Sequence, residues 1–260
     1  MSVTTKVYKF KTRPDPYQKD AVKQALKKRR FGIFFEQRVG KSKTAVDIAG
    51  AAHVMFGVRK VVIVCPLSVR KVWEAEIDRH LPDDILRRVE MYPASSEYRY
   101  REKRVELLRS MYGDPRLCFV VLNYDVLSKE ETDRLIAWRP DMVIYDEAHL
   151  LKSHKSLRSK QAHRLSSVAD WVVALTGTPI PKRPHDVFGL FRAIDDTVFG
   201  RSFTKFRDEY CVMGGYMGKE IIGYRNLDKL ARKVAAHSIR VLRKDVMEEP
   251  KVENVIVPVK

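Results

Sequence analysis

Hydrophobic residues along the chain collect into five short, unbroken runs: Gly32-Ile33-Phe34-Phe35, Val61-Val62-Ile63-Val64, Cys118-Phe119-Val120-Val121-Leu122, Met142-Val143-Ile144-Tyr145 and Trp171-Val172-Val173-Ala174-Leu175. Each has strand length and is rich in β-branched or aromatic residues. Strands buried on both faces of a parallel sheet read this way, because neither face meets water. Between the runs, apolar positions recur every three or four residues over Tyr17–Lys28, Ser42–Phe56, Val69–Arg79, Tyr98–Met111 and Ser156–Val168. That period predicts helices. Strand and helix in alternation predict an α/β fold, a mostly parallel β-sheet covered by helices.

The tail breaks the rhythm. Residues 200–226 are rich in glycine and aromatics without a strand pattern, Leu227–Arg243 reads as a basic helix, and Asn254–Val259 as a last strand or the start of a linker. The N-terminus has no apolar signal-like core, and no apolar run approaches the ~20 residues of a membrane helix. A net charge of +17 suits a polyanionic partner such as nucleic acid, or equally a solvated basic surface without a specific partner. Cys65, Cys118 and Cys211 lie far apart with no metal-ligand spacing, so neither a disulfide framework nor zinc is expected. Cys65 and Cys118 sit within or beside apolar runs and are expected to be buried.

In a parallel sheet, ligands bind at the carboxyl ends of the strands, so the residues just after each run matter most. After the first comes Glu36-Gln37-Arg38-Val39-Gly40-Lys41-Ser42-Lys43-Thr44. Gly40-Lys41-Ser42 is the end of a phosphate-binding loop: backbone N–H groups at a helix start face the phosphates, Lys41 reaches the β- and γ-phosphates, and Ser42 holds Mg²⁺. A plain helix start with a surface lysine would also use these residue types. After the fourth run come Asp146-Glu147-Ala148-His149. Two adjacent carboxylates at the mouth of a buried strand call for a cation. Asp146 would hold Mg²⁺, and Glu147 would orient and deprotonate a water. After the fifth come Thr176-Gly177-Thr178-Pro179, either a plain tight turn or one whose hydroxyls would couple the nucleotide to nucleic acid. Ser68, Arg70 and Lys71 after the second run, and Asn123 and Tyr124 after the third, are candidate backbone contacts for nucleic acid or simply capped loops.

With these segments in this order, the chain resembles superfamily 2 helicases: Glu36 to Thr44 matches motif I, Pro66 to Trp73 motif Ia, Asn123 to Leu127 motif Ib, Asp146 to His149 (spelled DEAH) motif II and Thr176 to Pro179 motif III. Asp15-Pro16-Tyr17-Gln18 resembles the element whose glutamine, here Gln18, reads adenine. The closer resemblance is to SWI/SNF-type ATPases. It is carried by Val64-Cys65-Pro66-Leu67-Ser68 with Trp73, by Lys152 and Ser153 after motif II, and by Thr176 to Ile180 running into Phe188-Gly189-Leu190-Phe191. Ile222 to Leu227 and Ile239 to Val246 add to it.

The resemblance implies a RecA-like P-loop domain over residues 1–260, the first, ATP-binding lobe, with 200–250 a mostly helical family-specific tail. It implies ATP and Mg²⁺ as ligands, with Arg38, Val39, Gly40, Lys41, Ser42, Lys43 and Thr44 around the nucleotide. It also implies translocation on double-stranded DNA, in the cytosol of a bacterial or phage-infected cell, or in a eukaryotic nucleus. The second RecA-like lobe, expected in cis or trans, is not in this chain, so its own ATPase is expected to be weak. An RNA helicase lobe, or a nucleic-acid-binding lobe with little ATPase, are the alternatives. One departure stands out: the family's usual glycine two before Gly40 is Arg38, which is strained if that backbone needs positive φ.

Overall fold

The computed structural model describes residues 7–94, 98–177 and 183–246. The elements run α1 (Pro16–Lys28), β1 (Arg30–Phe35), α2 (Lys41–Phe56), β2 (Lys60–Cys65), α3 (Arg70–His80), β3 (Arg87–Met91), α4 (Tyr98–Ser110), β4 (Leu117–Asn123), α5 (Lys129–Trp138), β5 (Met142–Tyr145), α6 (Leu157–Ser166), β6 (Trp171–Leu175), α7 (Asp186–Ile194), α8 (Phe203–Tyr210), β7 (Cys211–Gly214), β8 (Glu220–Tyr224), α9 (Leu227–Ala236), β9 (Ser238–Val241) and α10 (Arg243–Val246). Seven strands form one sheet in the order β3-β4-β2-β5-β6-β1-β9, every pair parallel.

Why the central strands are apolar throughout is visible in the core. Val61, Ile63 and Cys65 of β2 face one hydrophobic cluster with α1, α2 and α3, while Val62 and Val64 face a second with α4, α5, α6 and α7. Successive residues point to opposite faces and both faces are covered, so alternation disappears from the sequence. All three cysteines are buried and unpaired.

The five predicted strands and five predicted helices form near their expected positions. Two strands escape the pattern because they are the sheet's edges. β3 reads Arg-Arg-Val-Glu-Met and is only half-buried along its length. β9 falls inside the helix predicted over Leu227–Arg243. That helix stops at Ala236, and Ser238–Val241 instead extends beside β1. An edge strand has fewer covered positions and tolerates polar residues, so its sequence signal is weak. The tail is also less helical than expected. Besides α8, α9 and α10 it holds β9 and an antiparallel hairpin, β7 with β8, whose register shifts at Val212/Met213. A bulge and a glycine-rich turn hide such short strands from pattern reading. Thr178, Pro179 and Asn254–Val259 lie outside the described residues. No helix among the described residues is long and apolar enough to cross a membrane.

Candidate nucleotide site

Because the strands of the large sheet all run the same way, the segments that leave β1, β2, β4, β5, β6 and β9 emerge at one edge. The loop after β1 passes through Arg38 at φ 67° and Gly40 at φ 76° before α2 begins. Glycine adopts this left-handed region without strain, whereas another residue there costs about 1–2 kcal/mol. The expected strain at Arg38 is therefore present, and its exposed side chain lines the cleft beside the loop.

Lys41 folds back over that loop. Its Nζ donates to the carbonyls of Phe35 and Glu36, each at 3.1 Å. Burial holds its pKa below the ordinary lysine value, against the opposing pull of Glu147, Asp146 and Glu36. Asp146 is 8% exposed. Its Oδ2 accepts from the Trp73 indole N–H at 3.1 Å and its Oδ1 from the Glu147 N–H at 2.9 Å. Burial pushes this carboxyl up, with the Trp73 bond opposing. Trp73 carries part of the family likeness, and the sequence gives it no role. A buried indole N–H needs an acceptor, and here the acceptor is the motif II aspartate.

Glu147 stands in the left-handed region at φ 50°, ψ 48°. His149 Nδ1 lies 3.1 Å from Glu147 Oε2 and 3.3 Å from Thr176 Oγ1. One imidazole thus connects the segment after β5 to the segment after β6. Glu36, Gln37, Arg38, Glu147, His149, Gly177 and Arg243 enclose a cleft of about 600 Å³.

A magnesium nucleotide fits these residues. Asp146 is a buried carboxylate with two hydrogen-bond donors and no ion-pair partner among the described residues, and Lys41 stands at the same edge. Ser42 and Asp146 would hold the metal, which when bound would neutralise charge on the phosphates.

Other expected site residues sit differently. Lys43 turns away from the loop and pairs with Asp47 at 2.7 Å, where the Tyr8 hydroxyl also donates at 2.9 Å. Its side chain starts a buried support under α2. Thr44 is buried, and its hydroxyl donates to Gly40 O at 2.9 Å beside its own N–H at 3.1 Å. Val39 packs into the core. Gln18 is buried, its Oε1 accepting the Asp15 N–H at 3.0 Å. Its Nε2 lies so close to Gly40 that a Cβ there would come within 2.3 Å of it. Tyr124 is buried and donates to the Asp146 carbonyl at 2.7 Å, which makes it a strut beneath motif II. Asn123 is buried with Oδ1 unpartnered among the described residues. Arg70 donates to the carbonyls of Tyr92 and Val121, so it braces the sheet edge. Ser68 and Lys71 are exposed at that edge.

The support under α2 extends to His80, whose Nδ1 lies 2.7 Å from Thr12 Oγ1. Burial, then the nearby Lys43, Arg79 and Lys11 charges, lower its pKa to about 4. A folded-state pKa below the unfolded value of about 6.5 means that stability is whole above pH 6.5 and falls as pH drops toward 4. His80→Gln is expected to flatten that loss. Chemical denaturation of both proteins at pH 7 and pH 5 would show it, and equal losses in the two would contradict it.

A family model described as the SNF2-related domain matches residues 6–257. The chain belongs to the SNF2-related family. Among relatives of this SNF2-related chain, a Caenorhabditis elegans homolog of SWI/SNF-related matrix-associated actin-dependent regulator of chromatin subfamily A-like protein 1 is 32% identical, covering 90% of this chain and 32% of that protein. Human DNA annealing helicase and endonuclease ZRANB3 is 29% identical over 92% of this chain and 22% of its own length. The chain therefore spans a third or less of these relatives. Among solved structures, the Sulfolobus solfataricus SWI2/SNF2 ATPase core in complex with dsDNA superposes with a TM-score of 0.69 at 22% identity, over 91% of this chain and 46% of that one. The SNF2-related chain thus has the fold of part of that core, the RecA-like fold expected above.

Proposed function

We propose that this chain is the ATP-binding lobe of an ATP-dependent motor that moves on double-stranded DNA. The observation that carries the reading is the convergence of Lys41, Asp146 and Glu147 at one sheet edge, a phosphate cradle facing a metal ligand and a base. Glu147 would take the proton of the attacking water, while His149 holds its carboxylate and reaches Thr176, the start of the coupling turn. Thr176, Gly177 and Thr178 would pass the state of the nucleotide to the nucleic-acid face, where Ser68 and Lys71 would meet phosphates. Arg70, Asn123 and Tyr124 would act from within, by holding that edge in shape.

Duplex DNA as partner is supported by the net charge of +17, by a relative named as a DNA annealing helicase, and by a structural neighbour solved with dsDNA. Work on DNA would place the protein in the cytosol, or in a nucleus. A second RecA-like lobe, in cis or trans, would supply an arginine finger, a group worth about 10³–10⁵ in rate. The test is ATP hydrolysis by the chain with duplex DNA, single strands and RNA in turn. Slow turnover, raised most by duplex DNA, is the expected result. Stimulation mainly by RNA would replace this reading with an RNA helicase lobe.

A further inference from the structure

β9 lies beside β1 with Phe35 opposite Val241, so the residues leaving β9 arrive next to the phosphate loop. Two hydrogen bonds close the junction. The Glu36 N–H donates to Val241 O at 3.0 Å, and the Arg243 N–H donates to Glu36 Oε2 at 2.7 Å. The Glu36 carbonyl also accepts from Lys41 Nζ. One residue of the loop therefore holds both the loop lysine and the end of the last strand.

Arg243 lines the same cleft as Arg38, Glu147 and His149. Its Nε is buried and has no acceptor among the described residues. Of the carboxylates lining the cleft, Glu36 accepts the Arg243 main-chain N–H through Oε2 and Glu147 Oε2 lies 3.1 Å from His149 Nδ1, and neither pairs with the Arg243 guanidinium among the described residues. A guanidinium cannot shed its charge, and its fork of donors matches phosphate oxygens. We propose that Arg243 is a nucleotide-binding residue of this lobe, its guanidinium taking an oxygen of the bound polyphosphate. The inference rests on the nucleotide reading above and adds a cation from the far end of the chain.

Titration calorimetry of the full chain with Mg-ATP, Mg-ADP and adenosine tests it. Arg243→Ala is expected to weaken ATP and ADP about tenfold, as loss of one charge-assisted bond does, and to leave adenosine unchanged. Arg243→Lys should keep part of the affinity. The clasp to Glu36 uses the main-chain N–H, so the melting temperature of the nucleotide-free variants should stay at the wild-type value. Wild-type ATP affinity in Arg243→Ala overturns the inference, as does an equal loss for adenosine. Should Arg243→Ala melt early, Arg243→Gln decides, because it keeps the length and a donor without the charge: undiminished ATP affinity there overturns the proposal. Absence of ATP binding by the unaltered chain would instead overturn the nucleotide reading itself.

Discussion

Glu147→Gln is expected to lower ATP turnover by about 10²–10⁴ while leaving nucleotide binding in place, whereas Lys41→Ala weakens both. The geometry separates the two roles. Glu147 reaches into the cleft from a left-handed backbone position, with its carboxylate held against His149. An amide of the same shape keeps that position and cannot take a proton. General-base catalysis is worth about 10²–10⁴, so turnover should fall by that factor. Lys41 lies among the loop carbonyls of Phe35 and Glu36, where burial lowers its pKa and the nearby Glu147 and Asp146 oppose that shift. Its removal takes away the charge that a triphosphate would meet, and binding should weaken about tenfold or more. Paired measurements of binding by calorimetry and of phosphate release check both. Unchanged turnover in Glu147→Gln, or unchanged ATP affinity in Lys41→Ala, would sink the site assignment.

Gly189→Ala should be strongly destabilising. Gly189 lies in α7, and a Cβ there would stand 2.1 Å from Lys152 O, 2.6 Å from Lys152 C and 2.8 Å from Leu151 O. These are backbone atoms of the turn just after motif II, so no side chain can rotate out of the way. Either α7 or the turn must move. Overpacking of this kind costs about 1–3 kcal/mol, occasionally more, and the upper end applies when only backbone can yield. For a domain of this size that is a fall in melting temperature of roughly 6–12 °C. Because Ala148–Leu151 carries His149, ATP hydrolysis should fall with it. Gly189→Ala melting with the wild type in a thermal scan would show that α7 does not rest on this turn.

Gly189 also marks a limit of local patterns. The stretch Phe188 to Phe191 carries a family likeness in the sequence, yet nothing nearby gives a reason for the glycine. The reason is a close approach between elements some forty residues apart in the chain, which no local pattern records. Trp73 is similar: a tryptophan in a helix reads as core, and only the folded chain brings its N–H to Asp146. The Lys43 side chain is a further case. Its place beside Lys41 and Ser42 suggests a charge facing phosphate, but each step along a helix turns the side chain by about 100°, and Asp47 one turn later takes the charge. Tyr124 and Arg70 sit at the expected edge, yet they face inward.

The sequence alone determined the central sheet, its helical cover and the strand ends where chemistry gathers. Strands buried on both faces must be apolar along their length, and a phosphate loop or a carboxylate pair must come directly after such a strand. Both constraints are local, and both can be read in a few consecutive residues. The tertiary structure decided the edges of the sheet, the direction each polar side chain takes, and the meeting of β9 with β1 that carries Arg243 to the phosphate loop. Those outcomes depend on contacts between distant segments, where hydrogen bonds and packing from across the fold override what neighbouring residues prefer.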